Sequence, residues 1–223
     1  MPNFCQEALA ASQKLWDANF NHPFVQALAD GSLDLKIFKG YVIQDAYYLQ
    51  SFGAAHALAA YKATTSDLAI RFGQGLVDTF QSELELHGSF IKDLEISQTD
   101  LDAFTPSPNA YAYSNHMRLA GHDQDMAFIL ATLLPCYWLY EEIGHYLAEH
   151  RPDNPFYNRW IDTYSSDWFS ENVRQMKDLM DQLAADKSPE EFAALIHAFK
   201  QSVYYEYMFW DDAYYQRDWA VEE

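Results

Sequence analysis

The sequence predicts an all-α protein, a single-domain helical bundle, on three observations. Apolar residues recur at helical spacing over long stretches. Prolines and glycines fall mostly between those stretches, beside Asn, Asp, Ser or His residues that mark turns. No alternating Val, Ile and Thr run flanked by hairpin dipeptides occurs. With 223 residues, 49% of them hydrophobic and 17% aromatic, the chain can bury one sizeable core. It carries no repeat, low-complexity segment or linker, so residues 1–223 are read as one domain.

The helical stretches run over roughly 3–20, 33–62, 66–95, 108–121, 124–149, 155–164, 168–185 and 189–217. Pro23 marks the break after the first. Pro106 precedes the fourth, which Pro108 opens, and Pro152 divides the fifth from the sixth, which Pro155 opens. The last has a clear start: Ser188 can cap it, Pro189 suits its first turn and Glu191 completes a capping box. Pro135 is the exception, because it lies inside the fifth stretch. There it removes a backbone N–H and predicts a bend beside Cys136 that frees a carbonyl.

Charge and cysteine usage narrow the function classes. Thirty-three acidic against 14 basic residues give a net charge of −19, a field that repels phosphate backbones and anionic lipids. No nucleic-acid partner and no membrane partner are expected. Cys5 and Cys136 are the only cysteines and form no Cys-x-x-Cys pair, which fits reduced thiols in a cytoplasmic protein better than a disulfide or zinc framework. The N-terminal segment lacks the basic start and apolar run of a secretory signal. The longest apolar stretch, 127–140, is interrupted by Thr132 and Pro135 and reads as too short to span a bilayer.

Two acids fall on apolar helix faces. In "GYVIQDAYYLQSF", Asp45 shares a face with Tyr41, Tyr48 and Phe52; in "SVYYEYMFWDDAYY", Glu206 shares one with Val203, Tyr207 and Trp210. A carboxylate buried there needs a partner or a raised pKa. Asp45 therefore reads either as a core acid tied to a hydroxyl or a neighbouring helix, or as a ligand-binding group. A third stripe, Ile129, Leu133, Cys136, Tyr137, Tyr140 and Gly144, carries a thiol that taken alone reads as inert packing.

Five segments together carry a resemblance: "HPFVQAL" (22–28), "GYVIQDAYYL" (40–49), "AYSNHM" (112–117), "LPCYWLYEEIG" (134–144) and "YEYMFWDDAY" (205–214). In this order and spacing they resemble the TenA family, also called thiaminase II or aminopyrimidine aminohydrolase, over nearly the whole chain. The resemblance implies a haem-oxygenase-like all-α fold, a homotetramer and no cofactor. It also implies salvage of the thiamin pyrimidine: 4-amino-5-aminomethyl-2-methylpyrimidine is hydrolysed to the hydroxymethyl pyrimidine and ammonia, with thiamin cleavage in many members.

Residue by residue, the resemblance makes Cys136 the nucleophile, Glu206 the acid/base and Asp45 the acid that meets the aminopyrimidine. It assigns Tyr48, Tyr113, Tyr140 and Tyr164 to substrate binding, although the doubled Tyr111/Tyr113 leaves open which of those rings reaches the ligand. The residue chemistry suits a flat ring with a polar edge: aromatic walls stack it and a carboxylate takes the edge. A thiolate adding to the ring would allow the exocyclic amine to leave, and one group of near-neutral pKa would serve both proton transfers. Rings crowding Glu206 would raise its pKa towards that range. Two other readings stand beside this one. Glu142 and His145 in "EEIGH" form the Glu-x-x-His ligand unit of di-iron carboxylate oxygenases, of which two are required, and Glu83 or Glu85 before His87 suggests a second without its spacing. A pyrimidine-binding regulator without turnover would keep the pocket and have no need of the thiol.

Overall fold

In the computed structural model the described residues are 3–220, with side chains described for all of these except 82–85 and 87. Among them there are eleven α-helices, one π-turn and no strand; the all-α class is the one the sequence predicts, with more and shorter elements than the eight expected stretches. The chain divides into two compact units, Met1–Leu33 with Leu130–Trp210, and Asp34–Ile129 with Asp211–Glu223.

The first unit holds α1 (Phe4–Phe20), α2 (Pro23–Asp30), most of α8 (Met126–His150), α9 (Pro155–Tyr164), α10 (Asp167–Ala184) and most of α11 (Pro189–Tyr215). The ends of these helices are chemically marked. Asn3, Asn154 and Ser166 each accept backbone N–H groups at a helix start, satisfying donors that have no intrahelical partner. The capping box of α11 forms in both directions: Glu191 N–H donates to Ser188 Oγ at 3.2 Å and Ser188 N–H to Glu191 Oε2 at 2.8 Å. The short α2 is not legible from periodicity. It is set by His22, whose Nδ1 accepts from Phe24 N–H at 3.1 Å, and by Gly31, which ends the helix at φ 78°.

The core of this unit is aromatic. Trp16 stacks on Phe199 at 6.1 Å and meets Trp138 edge-on at 5.1 Å. Glu142 accepts both indole N–H groups, Trp16 at 2.8 Å and Trp138 at 2.6 Å, and Lys177 lies 3.7 Å from the Trp138 ring centroid. Helix α8 continues through Pro135 as one element of 25 residues. Pro135 still leaves the Ala131 carbonyl without its usual intrahelical donor. By length and composition α8 would also suit a membrane span, a departure from the expectation that its apolar stretch is too short; 67% of the apolar window is buried within the protein, as in a core helix.

The second unit is built on α3 (Leu35–Tyr61), against which α4 (Ser66–Asp78) and α7 (Pro108–Asp123) pack. The stretch expected as one helix over 66–95 is instead α4, a π-turn at Thr79–Glu83 and α5 (Leu84–Asp93). A five-residue helix, α6 (Gln98–Asp102), follows and is held by its own capping box at Ser97 and Asp100. Gln44 ties the next connection to α3: its Nε2–H donates to the Thr105 carbonyl and its Oε1 accepts from Ser107 N–H. The chain end returns to the same place, where Asp212 accepts from the backbone and side-chain N–H groups of Asn109, and Trp219 donates to the Pro106 carbonyl.

Candidate active site

In the second unit Asp45 is 4% exposed, and Tyr41, Tyr48 and Phe52 are buried along the same face of α3, as the spacing predicts. The Tyr48 ring lies 4.8 Å from that of Tyr113 on α7, at 44°. Of the doubled tyrosine, Tyr113 is the ring that faces inward. Tyr113 is 0% exposed, whereas Tyr111 is 46% exposed and packs its ring on Trp219. Asp45, one turn before Tyr48, thus shares its helix face with an aromatic pair that has a flat apolar side and hydroxyl-bearing edges.

In the first unit Cys136 and Tyr140 stand one turn apart on α8, Cys136 partly exposed and Tyr140 buried. Tyr140 meets Tyr164, the last residue of α9, at 4.9 Å and 65°, and meets Trp210 on α11 at 5.2 Å. Trp160 closes the cluster at 5.7 Å from Tyr140 and 4.5 Å from Tyr164. Glu206 is 2% exposed and stands one turn before Trp210 on α11. Of the residues singled out from sequence, the structure brings Tyr140 to Tyr164 and Tyr48 to Tyr113. Trp160 was missed, although its position one turn before Tyr164 was a usable signal.

The two cysteines differ in chemistry. Cys5 is buried beside Asp181; burial first, then that carboxylate, pushes its thiol well above the ordinary range. Cys136 is partly open and follows Pro135 on a helix whose hydrogen-bond ladder is interrupted there.

The Glu-x-x-His pair of "EEIGH" is engaged elsewhere. Both Glu142 oxygens take tryptophan N–H groups, and His145 Nε2 shares a hydrogen bond with Ser170 Oγ at 3.0 Å. The side chains of Glu83, Glu85 and His87 lie outside the described residues. Among the described residues no group of three or more His, Cys, Asp or Glu side chains is placed to hold a metal ion.

The architecture belongs to the haem-oxygenase-like class. The chain superposes on a protein of that fold from Shewanella denitrificans OS217 with a TM-score of 0.75 at 12% identity, over 95% of this chain and 92% of the other. More narrowly, residues 9–217 match the model of the TENA/THI-4/PQQC family, and the chain belongs to that family. It is 43% identical to an aminopyrimidine aminohydrolase of Bacillus subtilis (strain 168), over 97% of this chain and 92% of the relative. The solved structure of a TenA homologue from P. horikoshii OT3 superposes with a TM-score of 0.88 at 26% identity, over 96% and 99% of the two chains.

Proposed function

We propose that this protein is an aminopyrimidine aminohydrolase of thiamin salvage, with the chain acting as one TenA-like domain. The reaction takes 4-amino-5-aminomethyl-2-methylpyrimidine and water to the hydroxymethyl pyrimidine and ammonia. The observation that carries the reading is the contrast between the thiols. Cys5 is sealed in the core with its thiol pushed up, while Cys136 is partly open, one turn from Tyr140 on the same helix. The aminopyrimidine aminohydrolase name of the Bacillus subtilis relative supports the substrate class.

Asp45 accepts hydrogen bonds from the aminopyrimidine edge, and Tyr48, Tyr113, Tyr140 and Tyr164 supply aromatic walls and hydroxyls. The Cys136 thiolate adds to the ring carbon next to the substituted one, which ends the aromaticity that holds the exocyclic C–N bond. Electron pairs from the ring nitrogens then expel the amine, which takes a proton from Glu206 and leaves as ammonia. Water adds to the exocyclic methylene carbon while Glu206 takes its proton back. The Cys136–ring bond breaks, restoring the thiolate and the aromatic ring. No cofactor enters this sequence. We place the enzyme in the cytoplasm, which its cysteine usage fits, and as a homotetramer, as the family resemblance implies.

The test is parallel incubation with the aminomethyl pyrimidine, its formylated derivative and thiamin, comparing kcat/KM. The aminomethyl compound is expected to turn over with release of ammonia. Binding of all three without turnover of any would replace the enzyme by a pyrimidine-binding regulator.

A further inference from the structure

Asn19, the penultimate residue of α1, is wholly buried and belongs to no motif in the sequence. Its side chain makes three hydrogen bonds. Nδ2–H donates to the Leu15 carbonyl at 2.8 Å, one turn back on α1, and to the Val203 carbonyl of α11 at 3.4 Å. Its Oδ1 accepts the indole N–H of Trp210 at 3.0 Å. Val203 and Trp210 are the residues three before and four after Glu206, on the same face of α11. One amide therefore grips α11 on both sides of the buried acid, and the Leu15 bond fixes that amide's own orientation.

The grip extends further. Trp210 stacks on Phe24 at 5.1 Å and lies 5.2 Å from Tyr140, one turn beyond Cys136 on α8. An asparagine suits this place because it offers a donor edge and an acceptor edge in one plane. Aspartate would set a carboxylate oxygen against the Val203 carbonyl, and leucine would leave the indole N–H without its acceptor.

We propose that Asn19 is a positioning residue for Glu206: by clamping Val203 and Trp210 it fixes the axial rotation of α11, and with it the direction of the Glu206 carboxyl. This rests on the reading of Glu206 as the acid/base. A proton donor displaced by about 1 Å loses rate by up to roughly 10²-fold while substrate binding through the aromatic walls persists.

Three variants with the aminomethyl pyrimidine as substrate test it, each checked for native helicity by circular dichroism. Asn19→Ala removes all three bonds. Trp210→Phe keeps a ring and loses only the N–H, so it serves if Asn19→Ala fails to fold. Both are expected to lower kcat, Asn19→Ala by about 10- to 100-fold with KM nearly unchanged, and to move the limb of the kcat pH profile assigned to Glu206. In a Glu206→Gln background Asn19→Ala should cost kcat little more, because the group it positions is gone. A folded Asn19→Ala or Trp210→Phe with wild-type kcat and pH profile overturns the proposal. So does an equal loss in the Glu206→Gln background, which makes Asn19 structural. Full activity of Glu206→Gln alone would instead overturn the acid/base assignment itself, and this proposal with it.

Discussion

Gly144 and Tyr164 touch so closely that a methyl group on the glycine would lie 2.7 Å from the Tyr164 carbonyl carbon and 3.0 Å from Ser165 N. Both neighbours are backbone, which cannot swing aside as a side-chain tip can. Gly144 lies one turn beyond Tyr140 on α8, so the absence of a Cβ lets the end of α9 settle where the Tyr164 ring reaches Tyr140. Gly144→Ala is expected to cost about 1–3 kcal/mol of stability and to lower kcat/KM by displacing Tyr164. Urea unfolding with parallel kinetics checks this, and an unchanged midpoint would show that the helices yield without strain.

Cys136→Ala should lower kcat by about 10³-fold or more while substrate still binds, since it deletes a covalent step and leaves the aromatic walls. Cys5→Ala should leave the kinetics unchanged. A soluble alkylating agent applied to the native protein near neutral pH should modify Cys136 and spare Cys5, whose thiol burial and Asp181 hold protonated. Peptide mass mapping reads the outcome, and alkylation of Cys5 first would reverse the assignment.

Asp45→Asn keeps the size of the side chain but sets a donor against the amino group of the substrate. The expected loss in kcat/KM is on the order of 2–4 kcal/mol, with helicity retained. A variant that loses only thermal stability and keeps its kinetics makes Asp45 a core acid.

His56 predicts a pH dependence of stability in the second unit. Fully buried on α3, first through burial and then through the nearby Arg71 charge, its pKa is lowered from 6.5 to about 3. The folded protein therefore holds it neutral while the unfolded chain protonates near its ordinary value. Its contribution is complete above about pH 6.5 and is lost as pH falls from there towards 3, by on the order of 1 kcal/mol per pH unit. Carboxylates also weaken the protein in acid, so the diagnostic quantity is the difference from His56→Gln. Denaturant unfolding between pH 7 and pH 4.5 should show a steeper acid loss for wild type, and parallel curves would contradict the assignment.

The long helices were legible because burial imposes a period on them. Stripes such as Tyr41, Asp45, Tyr48 and Phe52 need one buried face, whatever packs on it. The short α2 and α6 were not legible, since eight and five residues hold too few turns to show a period and their caps decide them. Nor was the π-turn at Thr79–Glu83, where a local hydrogen-bond shift leaves the composition unchanged. For the site, Asp45 and Glu206 stood out as acids among aromatics. Tyr111 and Tyr113 could not be told apart, because residues two apart face opposite sides of a helix and only the packing of Tyr48 and Trp219 shows which faces out. Asn19 gave no signal, because its partners lie on a helix far along the chain.

C–N hydrolysis with Glu206 as the shared acid and base stands or falls on kcat of Glu206→Gln with two leaving groups. The amine of the aminomethyl pyrimidine must be protonated to leave, whereas the thiazole of thiamin departs neutral. Water must be activated in both reactions. The predicted result is a fall of roughly 10²–10⁴-fold in kcat with the aminomethyl compound and a clearly smaller fall with thiamin. Equal losses would confine Glu206 to the water step. Full activity on both substrates would contradict the claim and reduce Glu206 to a buried polar group beside Trp210.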